Sequence, residues 1–278
     1  MLGALIIVFR EVIEAGLIVG IVMAVTRGAP GRGAFVAGGL AGGLIGASLV
    51  AAFAGALAEA FSGAGAELFN AAILALAVVM LAWHNIWMAS HGREMAANLR
   101  SVGQAVVEGS KTMTALAVVV AVAVLREGSE VVLFLYGIAA SGSAGFGDLL
   151  LGGVLGLGLG ALLSLLMFYG LVAIPARHLF AVTTALITFL AAGMAAQCVV
   201  FLQQAAWITA LSGTLWDTSG VLRDDSIPGK VAHVLFGYVD QPSGAQALIY
   251  FLTLAGIFVA TRLAAPARPA PRPVRGTV

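Results

Sequence analysis

Two stretches of the 278-residue chain set one charged pattern inside apolar runs: Arg10-Glu11-x-x-Glu14 in LIIVFREVIEAGL and Arg126-Glu127-x-x-Glu130 in AVAVLREGSEVVL. Residues i and i+3 share a helix face, so each motif aims two carboxylates the same way. Arg10 and Glu14 stand at i and i+4, as do Arg126 and Glu130, and can pair along that face. Two such motifs facing each other present four carboxylates against two guanidinium groups. An oxygen cage with that excess of negative charge suits a hard multivalent cation. Glu11, Glu14, Glu127 and Glu130 are therefore the candidate metal ligands, and Arg10 and Arg126 their supporting cations. Two other readings of these residues stay open at this level: salt bridges that join helices, and a proton relay.

The elements that must position these charges are membrane spans. The chain is 61% hydrophobic and 10% charged, with a mean hydropathy of +1.05. A soluble domain is typically about 25% charged, so a soluble enzyme and a disordered chain are excluded. A net charge of +1 leaves no basic field for nucleic acid. The single Cys198 excludes an intramolecular disulfide framework and a multi-cysteine metal site. Seven segments reach the roughly 20 apolar residues that a crossing needs: about 2–25, 34–58, 67–90, 113–140, 149–173, 179–206 and 245–263. The first carries its charges mid-span and has no basic leader, which argues against a cleaved signal peptide. Both motifs fall near the middle of a hydrocarbon layer about 30 Å thick. Each of their charges costs at least about 2.5–3.5 kcal/mol there, which marks them as functional.

Orientation follows from the basic residues of the loops. Arg27, Arg32, Arg93, Arg100, Lys111, Arg177, Arg262, Arg268, Arg272 and Arg275 fall on one side, against Arg223 and Lys230 on the other. The first side is expected to be cytoplasmic, with the N-terminus outside and the C-terminus inside. Residues 91–112, with Met95, Leu99, Val102 and Val106 at helical spacing, read as a separate amphipathic helix on the inner surface. Residues 207–243 form an external loop, and 264–278 a Pro- and Arg-rich cytoplasmic tail expected to be disordered.

The fold class expected is an all-α integral membrane protein of seven helices. Repeat 1 spans about 2–90 and repeat 2 about 113–206, related as a 3+3 inverted repeat, followed by a seventh helix at 245–263. The charged motifs recur at corresponding places in spans 1 and 4. Glycines recur four apart at Gly38, Gly42 and Gly46 in span 2, and at Gly152, Gly156 and Gly160 in span 5. Odd-numbered repeats lie in opposite orientations, a common transporter plan. The glycines are read as close-packing positions. The chain carries no P-loop, so transport would draw on a gradient, a potential or a partner.

The paired intramembrane motifs REVIE (10–14) and REGSE (126–130), with LWDTSGVL at 215–222, GYVDQP at 237–242 and Tyr250, resemble the oxidase-dependent high-affinity iron permease family. That family, part of an iron/lead transporter superfamily, includes a fungal permease and bacterial EfeU-type permeases. The resemblance runs from span 1 to the end of span 7. It implies iron as the transported ion, the motif glutamates as its ligands, the motif arginines as essential companions, and no tightly bound organic cofactor. It also implies a multi-pass protein of the inner (cytoplasmic) membrane, in the lipid bilayer, with a periplasmic or extracellular ferroxidase or iron-binding protein as partner. The family pattern has Leu-Gln-Glu-Ala near the end of span 6, whereas this chain has Leu202-Gln203-Gln204-Ala205, which leaves room for another metal such as lead or manganese. An intramembrane di-iron enzyme is a further alternative, but it would want Glu-x-x-His pairs, and none occurs.

Secondary candidates are fewer. His84, Met88 and His91 form an i, i+4, i+7 stripe that could pass a softer metal onward. The plainer expectation makes His84 a satisfied interior histidine and His91 an interface residue. Trp83 and Trp87 suit the interfacial aromatic belt. Asp217, Asp224, Asp225 and Asp240 could gather cations, or serve as caps in a solvated loop. Glu59 and Glu67 read as a polar rim, and Cys198 as packing.

Overall fold

The computed structural model describes residues 1–60, 66–142, 144–171 and 176–264, without the side chains of 66, 92, 93, 176–180 and 234. Of the expected tail at 264–278, all but Ala264, which ends a helix, lies outside these residues, including Arg268, Arg272 and Arg275. The chain is helical: α1 (Leu2–Val25), α2 (Arg32–Ala60), α3 (Ala66–Val107), α4 (Met113–Ala140), α5 (Phe146–Phe168), α6 (Ala176–Gln204), α7 (Ile227–Phe236) and α8 (Gly244–Ala264). Among the described residues, five helical stretches are apolar and long enough to cross a membrane: α2, Glu67–His91 of α3, α5, Ala181–Gln204 of α6, and α8. At 24 and 28 residues, α1 and α4 are as long, but each holds three charged residues at its middle.

Local chemistry sets several helix ends. Thr112 caps α4 by accepting from the Ala115 N–H at 3.3 Å. At the start of α8, Ser243 accepts from the Gln246 N–H at 3.2 Å while the Gln246 side chain accepts from the Ser243 N–H at 2.8 Å. This is a reciprocal capping box.

The structure corrects the expected surface helix at 91–112. Instead α3 runs unbroken for 42 residues, about 63 Å at 1.5 Å per residue. Leu99 is buried in an apolar cluster with Ile18 and Val22 of α1, Val36 of α2, and Leu116, Val120 and Val124 of α4. The stripe assigned to a lipid surface is thus used against the ends of other helices. Gly92 and Gly103 in its path cost a helix only about 1 kcal/mol each and do not break it.

Two helix pairs pack at backbone distance, and glycines make this possible. A Cβ on Gly156 would lie 2.7 Å from the Leu5 carbonyl oxygen of α1. One on Gly39 would lie 2.5 Å from the Ala117 carbonyl oxygen of α4. The Gly152, Gly156, Gly160 face of α5 is the one expected. On α2 the expected face is met in part: Gly46 packs on Leu125 of α4 as expected and Gly42 touches Ala121 Cβ at 3.9 Å, but the close backbone approaches fall at Gly39 and Gly43, while Gly38 meets nothing within 4 Å. The doublets Gly38-Gly39 and Gly42-Gly43 share one spacing, so the period alone does not choose between adjacent faces. Contact positions rise together along α1 and α5, and along α2 and α4, so each pair runs parallel. In contrast α3 and α6 are antiparallel, linked by Cys198 Sγ to the Ala71 carbonyl oxygen (3.2 Å) and by Asn85 Nδ2 to Thr188 Oγ1 (3.4 Å).

The expected external loop contains the short helix α7. Around it Asp224 and Asp240 exchange side-chain-to-backbone hydrogen bonds at 3.3 and 3.2 Å. Burial pushes the Asp224 carboxyl above its ordinary value.

Candidate metal centre

Three helices deliver the charged residues to one place. The first motif is held on α1, the second on α4, and α3 supplies His84. All are buried except Arg126: Arg10 and Glu11 are 1% exposed, and Glu14, His84 and Glu127 3%. The expected i, i+4 pairs are present, with Arg10 Nε to Glu14 Oε1 at 3.0 Å and Arg126 Nε to Glu130 Oε1 at 3.1 Å. Arg10 also reaches Glu11 Oε1 from Nη1 at 3.2 Å.

His84 ties the motifs together. Its Nε2 lies 3.3 Å from Glu14 Oε2, and its Nδ1 contacts Glu130 Oε2. One ligand atom from each of Glu11, His84, Glu127 and Glu130 falls within 4.8 Å of the others, a spacing able to hold a metal ion. Glu14 stands beside this group, engaged by Arg10 and His84. Glu11 Oε2 and Glu127 Oε2 are buried without a hydrogen-bond partner. An orphaned buried acceptor costs about 1–3 kcal/mol, and a cation between the two would satisfy both. The set offers oxygen and one imidazole nitrogen, donors that suit a first-row transition metal as well as a hard ion.

Apolar layers lie on both sides of this centre. One turn from Glu11, His84 and Glu130 stand Ile7, Leu81 and Phe134, which together with Ile187 of α6 are fully buried in one cluster. On the other side lie Ile18, Val22, Val120 and Val124. Beside that second layer the Arg126 guanidinium rests 4.6 Å from the Trp87 ring centroid. Trp87 lines a cleft of about 360 Å³ with His91, Glu94 and Met95.

The structure separates the other candidates. Met88 is half-buried, and His91 is exposed, stacked on Trp87 at 5.4 Å and hydrogen-bonded to Ser90 Oγ. The His84, Met88, His91 stripe therefore does not form one group. Gln203 accepts from Ser243 Oγ at 3.2 Å, and Gln204 is exposed at the end of α6. They lie about 14 and 15 Å along α6 beyond Met194, which itself packs in the layer above the centre. Asp217 is exposed and accepts from the Ser219 hydroxyl and N–H, at 2.6 and 2.9 Å, which hold its carboxyl below its ordinary value. Glu59 and Glu67 are exposed at the ends of α2 and α3. The sequence reading underweights His84: an ionisable side chain within a membrane run is itself a functional signal, but its helical spacing groups it with Met88 and His91.

A helical protein with several membrane-length apolar stretches and a buried carboxylate–imidazole centre fits the ion-transport class. Residues 1–267 match the Iron permease FTR1 family, and the chain belongs to that family. The ferrous iron permease EfeU of Shigella flexneri is 32% identical over 198 residues, 71% of this chain and 83% of that protein. The ferrous iron permease EfeU of Shigella sonnei is 32% identical over 198 residues, 71% of each chain. That of Escherichia coli strain UTI89 is 32% identical over 195 residues, 70% of each. No solved structure matches. The resemblance carried by the charged motifs is thus confirmed, and it supports iron transport.

Proposed function

We propose that the chain carries iron inward across the cytoplasmic membrane through the centre formed by Glu11, His84, Glu127 and Glu130. The observation that carries this reading is the approach of those four side chains, from three helices, to within 4.8 Å of one another in a buried place. Glu11 and Glu127 supply the unpartnered oxygens. His84 supplies a nitrogen by turning away from Glu14 or Glu130. Arg10 keeps Glu14 oriented, and Arg126 holds Glu130 on the side of the cleft. The mixed donor set suits Fe(II), the oxidation state in the names of the EfeU relatives. An iron-binding protein outside the membrane would deliver the Fe(II).

The packing supports seven alternating spans, α1–α6 and α8, and the basic residues of the loops favour an N-terminus outside. Alternate crossings make α1 and α5 parallel, α2 and α4 parallel, and α3 and α6 antiparallel, and these are the directions observed. Exchanging α1–α3 with α4–α6 turns the α1–α5 pair into the α4–α2 pair, as an inverted repeat requires. The same orientation puts the Trp87 cleft on the cytoplasmic side.

Radioactive iron uptake in cells that lack their own importers tests this reading. Ferrous supply is expected to support uptake by the wild type and ferric supply only with a reductant. Removing the nitrogen donor in His84→Ala is expected to lower iron uptake at least tenfold, the lower bound for losing support around a metal. Preference for manganese or lead over iron in the same assay would replace iron as the cargo.

A further inference from the structure

A second place where polar side chains meet a cavity lies at the end of the bundle where α1 begins. It is a cavity of about 30 Å³ lined by Gly3 of α1, Ile138 and Ser141 of α4, Met194 and Gln197 of α6, and His233 of α7. A single water needs about 10–15 Å³ of such space, so the chamber takes one cation and a water. It stands directly above the layer of Ile7, Leu81, Phe134 and Ile187, and that layer stands one turn above Glu11, His84 and Glu130. Chamber, apolar layer and centre thus form a column.

His233 is held in a defined state by its surroundings. Its Nδ1 lies 2.7 Å from the Tyr238 carbonyl oxygen. A carbonyl oxygen only accepts, so Nδ1 carries the hydrogen, and Nε2 of the neutral ring keeps its lone pair. Orienting an imidazole through its other nitrogen is how proteins prepare a histidine for a metal. The rest of α7 fixes the ring in place. Ser226 caps the helix, accepting from the Gly229 N–H at 3.0 Å. The helix ends at Gly237, whose φ of +66° closes the turn that brings the Tyr238 carbonyl back to His233. Gly237 seats on Gly193 of α6, where an added Cβ would lie 3.1 Å from the Gly237 Cα. The external segment therefore does not merely join α6 to α8: it presses one imidazole against the chamber wall.

We propose that this chamber is the first binding station for the incoming divalent transition-metal cation, with His233 Nε2 as its nitrogen ligand and Gln197 and Met194 as companion donors. The assignment rests on the permease reading. Its donors are imidazole, amide and thioether, without a carboxylate. They favour a borderline metal over calcium or magnesium and hold it weakly enough to pass on. The station selects, and the carboxylate centre below binds.

The test is the concentration dependence of ferrous uptake in full-length His233→Asn, His233→Ala and Gln197→Leu. The asparagine amide can still donate to the Tyr238 carbonyl but offers no imidazole nitrogen. All three variants are expected to raise the half-saturating iron concentration about tenfold, with the maximal rate within about twofold of wild type. A wild-type half-saturation in His233→Asn, with His233→Ala impaired, would make the ring purely structural and overturn the proposal. If neither His233 variant accumulates in the membrane, an unchanged half-saturation in Gln197→Leu overturns it in the same way. Absence of iron uptake by the wild type would instead overturn the permease reading.

Discussion

The two Arg-Glu-x-x-Glu motifs are the same on paper and different in space. In the first, Arg10 is 1% exposed and closes on both of its own glutamates, at 3.2 and 3.0 Å. In the second, the Arg126 side chain is 34% exposed, approaches Glu127 only to 3.8 Å, and lies over Trp87 beside an open cleft. Arg10 is sealed in the bundle, whereas Arg126 stands at its edge while Glu127 and Glu130 stay buried. A buried guanidinium is held by its partners, and its partners depend on it. A half-exposed one keeps some contact with water and is free to move. In the proposed centre the first motif would then be the fixed wall and the second the side at which it opens.

This contrast makes the two arginines unequal. Arg10→Ala leaves buried carboxylates without their cation, at a cost of about 3–5 kcal/mol, and the variant is expected to be lost from the membrane fraction. Arg126→Ala is expected to accumulate normally and to fail in uptake. Equal accumulation of both, measured by immunoblot of membranes, would break the distinction.

The glycine faces sharpen the comparison, because here the two halves should behave alike. An added Cβ meets backbone at both Gly39 and Gly156, so neither contact is relieved by a side-chain rotation. Overpacking of this kind costs about 1–3 kcal/mol. Gly39→Ala and Gly156→Ala should lower thermal stability in detergent by similar amounts, and Gly38→Ala by none. A loss confined to one half would argue against equivalent repeats.

The smallest effect is expected at Trp87→Leu, which removes the ring beneath Arg126. A cation–π contact contributes about 0.5–1 kcal/mol at a partly exposed site, so a twofold to fivefold fall in the uptake rate is expected, with accumulation unchanged. An unchanged rate would mean that the Arg126–Trp87 stack takes no part in transport.

The parts legible in the sequence are those where the membrane makes chemistry expensive. Six charges in apolar runs announce themselves, and the i, i+4 ion pairs follow from helix geometry alone. The helix positions were legible for the same reason, since a crossing needs a fixed length of apolar chain. What was not legible depends on which neighbour a face meets. The doublets at Gly38-Gly39 and Gly42-Gly43 fit either of two adjacent faces, and only α4 decides between them. The stripe of Met95, Leu99 and Val106 fits a lipid surface as well as it fits the ends of α1 and α4. His84 is one residue in a three-residue stripe until α1 and α4 bring Glu14 and Glu130 to its two nitrogens. His233 lies in a loop where only the docking of α7 on α6 gives it a direction.

The central claim is that the glutamates facing each other across α1 and α4 hold the iron. Its most direct test is the initial rate of ferrous uptake by Glu127→Gln, which keeps the shape and removes the charge, compared with wild type at equal membrane abundance. The account predicts uptake reduced to the level of cells without the protein. A rate equal to wild type would contradict it, leaving the buried motif a structural brace and placing the iron path elsewhere in the bundle.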